Sequence, residues 1–114
     1  MIDAVIRLFT YGTLRDPTVQ QRLFGRLVPG DPDAIPGFRL GTVTIRDAAA
    51  IATSGTAVHL VVVETGNAAD RVEGIVLQLT PEELAVADAY ETADYRRVTV
   101  SLASGMEAFL YARA

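Results

Sequence analysis

The spacing of hydrophobic and polar positions divides the chain into short elements. Over residues 4–11 apolar residues alternate partly with polar ones, and Gly12 ends the run, which predicts a strand leading into a turn. Asp16 followed by Pro17 is typical of a helix N-cap and a first helical position. The predicted helix ends at Gly25 or Gly30, and its apolar face consists of Val19, Leu23, Phe24 and Leu27.

The middle of the chain is predicted to consist mainly of strands. Three prolines in residues 29–36 favour a surface loop, and residues 38–46 alternate like a strand. Residues 47–55 are mostly small and receive no assignment. Residues 57–64 and 72–79 are rich in β-forming side chains, and the glycine-containing turn signal between them indicates a hairpin.

The last third predicts one helix and two strands. Thr80, with Glu83 three residues later, has the pattern of a capping box, and the helix that it begins ends near Tyr90. Residues 95–102 and 108–111 then form two strands joined by a serine-glycine turn. These elements predict an α+β protein of about six strands and two short helices, and closure into a small barrel would remove exposed strand edges.

Length and composition limit the organisation of the chain. At 114 residues it is too short for two domains that each bury a core, so residues 1–114 are expected to form one domain. Half of the residues are hydrophobic, and they are spread along the whole length, which is typical of a globular chain. We expect a monomer or a small homo-oligomer.

Charge and residue types exclude several classes of function. The formal net charge is -4 and all ten cationic residues are arginine, so no nucleic-acid partner is expected. There is no cysteine, which excludes disulfides and a thiolate nucleophile, and a single histidine leaves few ligands for zinc, so no metal is expected. Asp3 and Arg7 interrupt the first apolar residues, and no apolar run approaches the ~20 residues of a membrane span. We therefore expect a cytoplasmic protein that does not bind membranes.

The segment Tyr11-Gly12-Thr13-Leu14 is the first candidate for a functional site. It lies where a strand ends and the next helix has not begun, so several backbone N–H groups lack partners in a ladder or helix. Gly12 lets a ligand approach the backbone closely and Thr13 adds a hydroxyl donor, which suits a carboxylate or a polarised carbonyl. The alternative is an ordinary strand-ending turn with a tyrosine in the core.

A second candidate is the acidic segment at the predicted end of the late helix. Asp88, Glu91 and Asp94 recur there at intervals of three residues. Acidic side chains near a helix C-terminus oppose the helix dipole, and clustered carboxylates raise one another's pKa. One of the three is therefore a candidate general acid/base, and a solvated acidic connection is the alternative.

Two further groups of polar residues allow a functional or a structural interpretation. Arg96 and Arg97 open the next strand after Tyr95, so their side chains should face opposite sides of the sheet. One arginine is a candidate partner for the acids, and surface ion pairs are the alternative. His59 lies alone in an apolar run and is expected to be a satisfied strand residue and not a ligand.

Five segments, in matching order and spacing, make the chain resemble the gamma-glutamylcyclotransferase-like superfamily, and in particular its avirulence-induced-gene-like branch. The segments are FTYGTLRDPTVQQRLFGR, PGFRL, VEGIVLQLTPEEL, ADAYETADYRRVTV and AFLYARA. The resemblance covers nearly the whole chain. It implies a small mixed six-stranded β-barrel flanked by short helices.

The resemblance also implies which residues form the site. The family's catalytic glutamate follows an aromatic residue at the end of the late helix, which corresponds to Glu91 after Tyr90. A tyrosine-x-arginine pair comes next and corresponds to Tyr95 and Arg97. The family's substrate-binding loop, tyrosine-glycine-serine/threonine-leucine, corresponds to Tyr11, Gly12, Thr13 and Leu14.

The reaction implied by the resemblance needs no cofactor and acts on a small-molecule γ-glutamyl substrate. The α-amine of a γ-glutamyl group attacks its own γ-carbonyl, which closes 5-oxoproline and releases an amine or amino acid. Glu91 is expected to accept the amine's proton and to give one to the departing nitrogen. The alternatives are a non-catalytic relative that binds a small molecule or a protein, and another transfer of a γ-glutamyl group, such as removal of a protecting group.

The chain departs from the family's pattern at three places. Relatives commonly carry a Tyr-Pro pair where this chain has Ala48 and Ala49, and Leu77 stands where an aromatic residue is often found. Both changes are expected to lie near the site. Residues 54–70 also form a longer stretch than usual. We therefore expect the shape of the substrate to differ from that of better-known members.

Overall fold

A computed structural model describes residues 5–114, in which seven strands and three α-helices are present. The strands are β1 (Ile6–Thr10), β2 (Gly30–Pro36), β3 (Phe38–Thr44), β4 (Val58–Glu64), β5 (Arg71–Leu79), β6 (Tyr95–Ser101) and β7 (Glu107–Arg113). The helices are α1 (Pro17–Phe24), α2 (Ala48–Ser54) and α3 (Pro81–Tyr90), and a short 3₁₀ turn (Thr13–Arg15) follows β1. None of the helices in this part of the chain has both the length and the apolar character needed to cross a membrane. Ala4, the first residue of the predicted strand, lies outside the described residues.

Five strands form the main sheet, in the order β2-β5-β1-β7-β6, and β3 and β4 form a second sheet. β1 lies at the centre of the main sheet, antiparallel to β5 and parallel to β7. Gly37 separates β2 from β3 with a φ of +81°, a conformation that favours glycine. Its N–H donates to the Asp70 carbonyl and its carbonyl accepts from the Thr65 N–H, both at 2.8 Å. The chain therefore turns at Gly37 out of one sheet and into the other.

The mixed α+β class is confirmed, and the seven strands lie in two sheets that do not close into the predicted six-stranded barrel. Within residues 5–114 no ladder of hydrogen bonds joins the two sheets, and the main sheet ends at β2 on one side and β6 on the other. Closure is not needed to protect the β2 edge, because Pro32 and Pro36 lack the N–H groups that would pair with another chain.

Two predictions about strands are wrong because they depended on local signals. The proline-rich residues 29–36 are not a loop: β2 pairs with β5 along its whole length, and its Ala34 and Ile35 are buried. Prolines are tolerated there because β2 is an edge strand. The predicted hairpin of residues 57–64 and 72–79 does not form, since β4 pairs with β3 and β5 pairs with β1 and β2. A turn signal shows where the chain bends but does not identify the strand that pairs with it.

Capping residues fix the ends of the helices as the local sequence indicates. The Asp16 side chain accepts the N–H of Thr18 at the start of α1, and Gly25 ends that helix in the left-handed conformation. Thr80 and Glu83 form the predicted capping box of α3. The unassigned residues 47–55 contain α2, which Asp47 caps. Leu27, predicted on the apolar face of α1, lies beyond its end and is 56% exposed.

Two hydrophobic clusters cover the opposite faces of the main sheet. Leu8 of β1 packs in the cluster beneath the helices, and the adjacent Phe9 packs in the cluster that includes Val62 of the second sheet. Because side chains alternate along a strand, β1 is buried on both faces. Its end, and the loop that follows, are thereby held in one position.

Gly74 lies on β5 where the neighbouring β1 leaves no room for a side chain. A Cβ atom at position 74 would collide with the Thr10 carbonyl oxygen and lie 2.7 Å from Cζ of Phe9. We expect Gly74→Ala to lower the free energy of unfolding by about 3 kcal/mol, as measured by urea denaturation. Gly41→Ala on β3 is the control, because its nearest non-neighbouring atom would be 3.5 Å away. Equal losses for the two variants would contradict this account.

Candidate active site

The loop that follows β1 borders a small cavity with a volume of about 20 Å³. This is room for about one water molecule. Four parts of the chain meet around it: the end of β1 with its loop, the start of β4, the segment from the end of α3 into β6, and β7. The lining residues are Phe9, Thr10, Tyr11, Gly12, Thr13, Leu14, His59, Leu60, Glu91, Tyr95 and Tyr111. Six of the seven predicted site residues therefore lie at one cavity, and Arg97 does not.

Hydrogen bonds to carbonyl and hydroxyl groups hold the loop, while its amides stay free. The buried Gln20 side chain donates to the Leu14 carbonyl at 2.9 Å, and the Thr13 hydroxyl lies 2.7 Å from the Tyr90 hydroxyl. The N–H groups of Gly12, Thr13 and Leu14 donate to no other residue in the described part of the chain. A Cβ atom on Gly12 would meet no atom within 4 Å, so there is open space beside it. The loop thus has three free donors, in residues that border the cavity.

Glu91 follows the last residue of α3 and faces the same cavity. Its N–H donates to the Ala87 carbonyl at 3.0 Å, which ends the helix. Its carboxyl group takes part in no hydrogen bond or ion pair among residues 5–114. Burial raises the pKa of this carboxyl to about 8, because the charged form loses its hydration there.

The expected cause of a raised pKa in the acidic segment was wrong. Mutual repulsion among clustered carboxylates does not raise the pKa of Glu91, which burial alone explains. Asp88 instead accepts a hydrogen bond from the Tyr111 hydroxyl at 2.6 Å, and Asp94 accepts one from the Thr92 hydroxyl at 2.7 Å. The three acids thus have three different surroundings.

Tyr11 and Tyr95 form part of the cavity wall and use their hydroxyl groups to bind backbone. The Tyr11 hydroxyl donates to the Tyr111 carbonyl at 2.6 Å, and the Tyr95 hydroxyl donates to the Leu60 carbonyl at 2.7 Å. Burial raises the pKa of both phenols, and the nearby Glu91 raises it further. Both side chains therefore stay neutral near pH 7 and link β1, β4, β6 and β7 around the site.

Arg97 lies outside the cavity and contacts it only through other residues. Its Nε atom is 3.4 Å from an oxygen of Asp88, and its guanidinium carbon lies 4.6 Å from the centre of the Phe109 ring. Asp88 in turn binds the hydroxyl of Tyr111, whose ring lines the cavity. Arg96 borders a different groove beside Val62 and Val98, so the prediction that the two arginines face opposite sides is confirmed.

His59 is the main site residue that sequence reasoning missed. It is 5% exposed and lines the cavity from β4. Its Nε2 atom lies 2.9 Å from the Ser54 hydroxyl and 3.1 Å from the Thr56 carbonyl, so the expectation of a satisfied residue holds for one ring nitrogen. The available signal was that it is the single histidine of the chain.

Two of the sequence departures lie away from the cavity, contrary to expectation. Leu77 is fully buried in the cluster beneath the helices, and Ala49 borders a separate surface cleft beside Tyr90. Neither residue lines the cavity that contains Glu91. Part of the long stretch of residues 54–70 does line it, through His59 and Leu60.

A wider cleft of about 510 Å³ adjoins the cavity. Gly12, Thr13, His59 and Leu60 border both spaces, whereas Glu91 borders only the inner one. The remaining lining of the cleft is Arg15, Asp16, Val58 and Ile75. Within residues 5–114, the His, Asp and Glu side chains form no group of three that could hold a metal ion.

Comparison with known proteins gives matches to a family and to solved structures. The model of the family described as "Gamma-glutamyl cyclotransferase, AIG2-like" matches residues 8–114. No match was found among curated proteins. The solution structure of an Arabidopsis thaliana protein is similar, with 25% identity and a TM-score of 0.73 over 96% of this chain and 68% of that one.

Two further structures resemble the fold at lower identity. A structure titled "Gamma-glutamyl cyclotransferase" has 13% identity and a TM-score of 0.72, over 97% of this chain and 68% of that one. A crystal structure of a Pyrococcus horikoshii protein has 23% identity and a TM-score of 0.64, over 95% of this chain and 77% of that one. The family match extends over nearly all of the described residues, and on that ground this chain belongs to the gamma-glutamyl cyclotransferase, AIG2-like family.

Proposed function

We propose that this protein is a γ-glutamylcyclotransferase-type enzyme that converts a γ-glutamyl group to 5-oxoproline and releases an amine or amino acid. One observation carries the proposal: the unpaired carboxyl of Glu91 and the free amides of residues 12–14 border the same cavity. A partly buried carboxyl that makes no hydrogen bond stabilises nothing in the fold. The position of Glu91 is better explained if its carboxyl group exchanges a proton with a bound ligand.

The substrate would occupy both spaces of the site. The inner cavity has room for about one water molecule, so a single polar group at the reacting end of the γ-glutamyl group would enter it beside Glu91. The free amides of the loop would bind the α-carboxylate or the oxyanion that develops on the γ-carbonyl. The released amine would extend into the wider cleft, which continues outward past Gly12 and Thr13.

Glu91 would move the protons that this reaction requires. Its carboxylate accepts a proton from the α-ammonium group, and the freed amine attacks the γ-carbonyl carbon to form the ring C–N bond. Glu91 then gives that proton to the departing nitrogen as the original C–N bond breaks, and the ring nitrogen, which still carries two hydrogens, releases one of them to solvent as a proton to leave the lactam and the free amine. A pKa of about 8 suits both steps near neutral pH, because the group exists in both protonation states. The nucleophile and the electrophile belong to one molecule, so holding the bent conformer supplies much of the acceleration.

The other predicted residues would shape the site around this chemistry. Through their bonds to backbone carbonyls, Tyr11 joins the loop to β7 and Tyr95 joins β6 to β4. Arg97 acts through Asp88 and Tyr111 and does not touch the substrate.

The alternative of a relative that only binds a small molecule or a protein is less well supported. A binding module has no use for a carboxyl group of high pKa that faces the ligand site without a partner. Another transfer of a γ-glutamyl group would use the same geometry, and its products would distinguish it from cyclisation. The decisive measurement is release of 5-oxoproline from a γ-glutamyl amino acid, a γ-glutamylamine and a γ-glutamyl isopeptide of lysine.

Glu91→Gln should remove this activity while the protein stays folded. The amide keeps the shape of the side chain but neither accepts nor donates the required proton, so 5-oxoproline release should fall by at least about 100-fold. Glu82→Gln is the matched control, since Glu82 is exposed on the same helix. Release at the wild-type rate by the Glu91→Gln protein would show that the assignment is wrong.

The raised pKa of Glu91 also predicts how stability depends on pH. Folding raises this pKa from 4.5 to about 8, so folding favours the protonated carboxyl and the associated stability is lost as the pH rises from about 5 through 8. Glu91→Gln lacks this loss. The free energy of unfolding of Glu91→Gln, relative to that of wild type, should therefore increase by a few kcal/mol between pH 5 and pH 9, as measured by urea denaturation. If the free energies of unfolding of the two proteins changed equally with pH, the raised pKa of Glu91 would be contradicted.

Arg97→Gln should have a smaller effect than changes at the cavity. The substitution breaks a partly exposed pair with Asp88 and leaves the cavity lining in place, so kcat/KM should fall by about tenfold or less. Arg96→Gln, on the opposite face of β6, is the control and should leave kcat/KM unchanged. A loss as large as that of Glu91→Gln would mean that Arg97 binds the substrate directly.

A further inference from the structure

The contacts of Nε2 indicate which ring nitrogen of His59 carries the hydrogen. Nε2 lies 3.1 Å from the carbonyl oxygen of Thr56, and a carbonyl oxygen only accepts hydrogen bonds. The Ser54 hydroxyl donates to the same carbonyl at 3.0 Å, so its oxygen also faces Nε2 as an acceptor, at 2.9 Å. Nε2 is therefore the N–H donor. In the neutral ring, Nδ1 is left as a hydrogen-bond acceptor.

The second ring nitrogen of His59, Nδ1, differs from Nε2 in its surroundings. It makes no hydrogen bond to another residue in the described part of the chain, although the side chain as a whole is 5% exposed. Within residues 5–114, no fully buried side-chain nitrogen or oxygen lacks a partner. Nδ1 is therefore not sealed in the core, and it opens to the cavity or the cleft. The Tyr90 ring, with its centre 6.4 Å away, lies beside the imidazole.

His59 lies at the boundary between the inner cavity and the wider cleft. It borders both spaces, whereas Glu91 and Tyr95 border only the cavity and Arg15 and Val58 border only the cleft. Under the proposed function, the γ-glutamyl group reaches inward to Glu91 and the leaving amine extends outward. The amide bond to be broken would then cross the boundary, beside the imidazole.

We propose that Nδ1 of His59 accepts a hydrogen bond from the N–H of the substrate's scissile amide and thereby orients that amide for the reaction. This proposal rests on the proposed function. The amide N–H belongs to the leaving nitrogen, and a fixed acceptor beside it sets the plane of the amide. When the amide is held in this plane, its γ-carbonyl carbon faces the attacking α-amine. When the tetrahedral intermediate forms, the lone pair on the leaving nitrogen is directed toward Glu91.

His59 does not exchange a proton in this scheme. Glu91 protonates the leaving nitrogen, the C–N bond breaks, and the amine departs with its own N–H and the proton from Glu91. His59 keeps its Nε2 hydrogen on the side of Ser54 and Thr56 throughout. Its contribution is geometric, and it selects substrates whose leaving nitrogen carries a hydrogen.

Two substitutions test the roles of the two ring nitrogens of His59 independently. In His59→Gln the side-chain amide reaches the position of Nε2 and can donate to Thr56, but no acceptor remains at the position of Nδ1. In His59→Asn the shorter amide places its oxygen near the position of Nδ1. We expect His59→Gln to keep a wild-type Tm and to lower kcat/KM by about tenfold, as for loss of one hydrogen bond. His59→Asn should recover part of that loss.

The test compares γ-glutamyl-leucine with γ-glutamyl-N-methylleucine, which lacks the scissile N–H. Wild type should prefer the first substrate, and His59→Gln should reduce that preference by about tenfold, because only the first substrate can use Nδ1. A purely structural role would slow both substrates equally, and an unchanged preference would overturn the proposal for His59. That result, with 5-oxoproline release that still depends on Glu91, would leave the proposed function intact. If wild type releases no 5-oxoproline from either compound or from other γ-glutamyl amides, the proposed function fails, and the role of His59 fails with it.

Discussion

The burial of β1 on both faces is the constraint on which the site depends. Leu8 packs beneath the helices and Phe9 packs toward the second sheet, so the strand cannot shift without opening one of the two clusters. β5 and β7 pair with it on either side and fix its register. The loop at its end is therefore a rigid part of the scaffold. Such rigidity lets unpaired amides remain in one place without a ligand.

A second constraint is the partial burial of an unpaired carboxyl at the end of α3. Removing a carboxylate from water is unfavourable, and the structure provides Glu91 with no partner in the described residues. The group responds by taking up a proton near neutral pH. Other carboxylates of this protein differ from Glu91, because Asp16, Glu83 and Asp88 all have hydrogen-bond partners. The contrast favours a chemical role for Glu91, and the cavity beside it supplies the space for one.

Much of the local structure was readable from the sequence. Asp16 with Pro17, and Thr80 with Glu83, predicted the starts of two helices because capping depends on residues within one turn. Local sequence signals also predicted that β1 ends at the Gly12 loop and that α3 ends before Glu91. The resemblance to a known family placed functional residues on those ends. Asp47 and Gly55 carried equivalent signals for α2, which lacked a recognisable apolar pattern.

The sequence by itself thus determined most of the elements, the caps of two helices and the residue types available for chemistry. Only the tertiary structure decided which strands pair, that Glu91 shares a cavity with the loop, that Arg97 lies outside it and that His59 lies at its edge. Capping and alternation are set by neighbours in the chain. Strand partners and burial are set by contacts between distant residues, and the raised pKa of Glu91 is a consequence of burial alone.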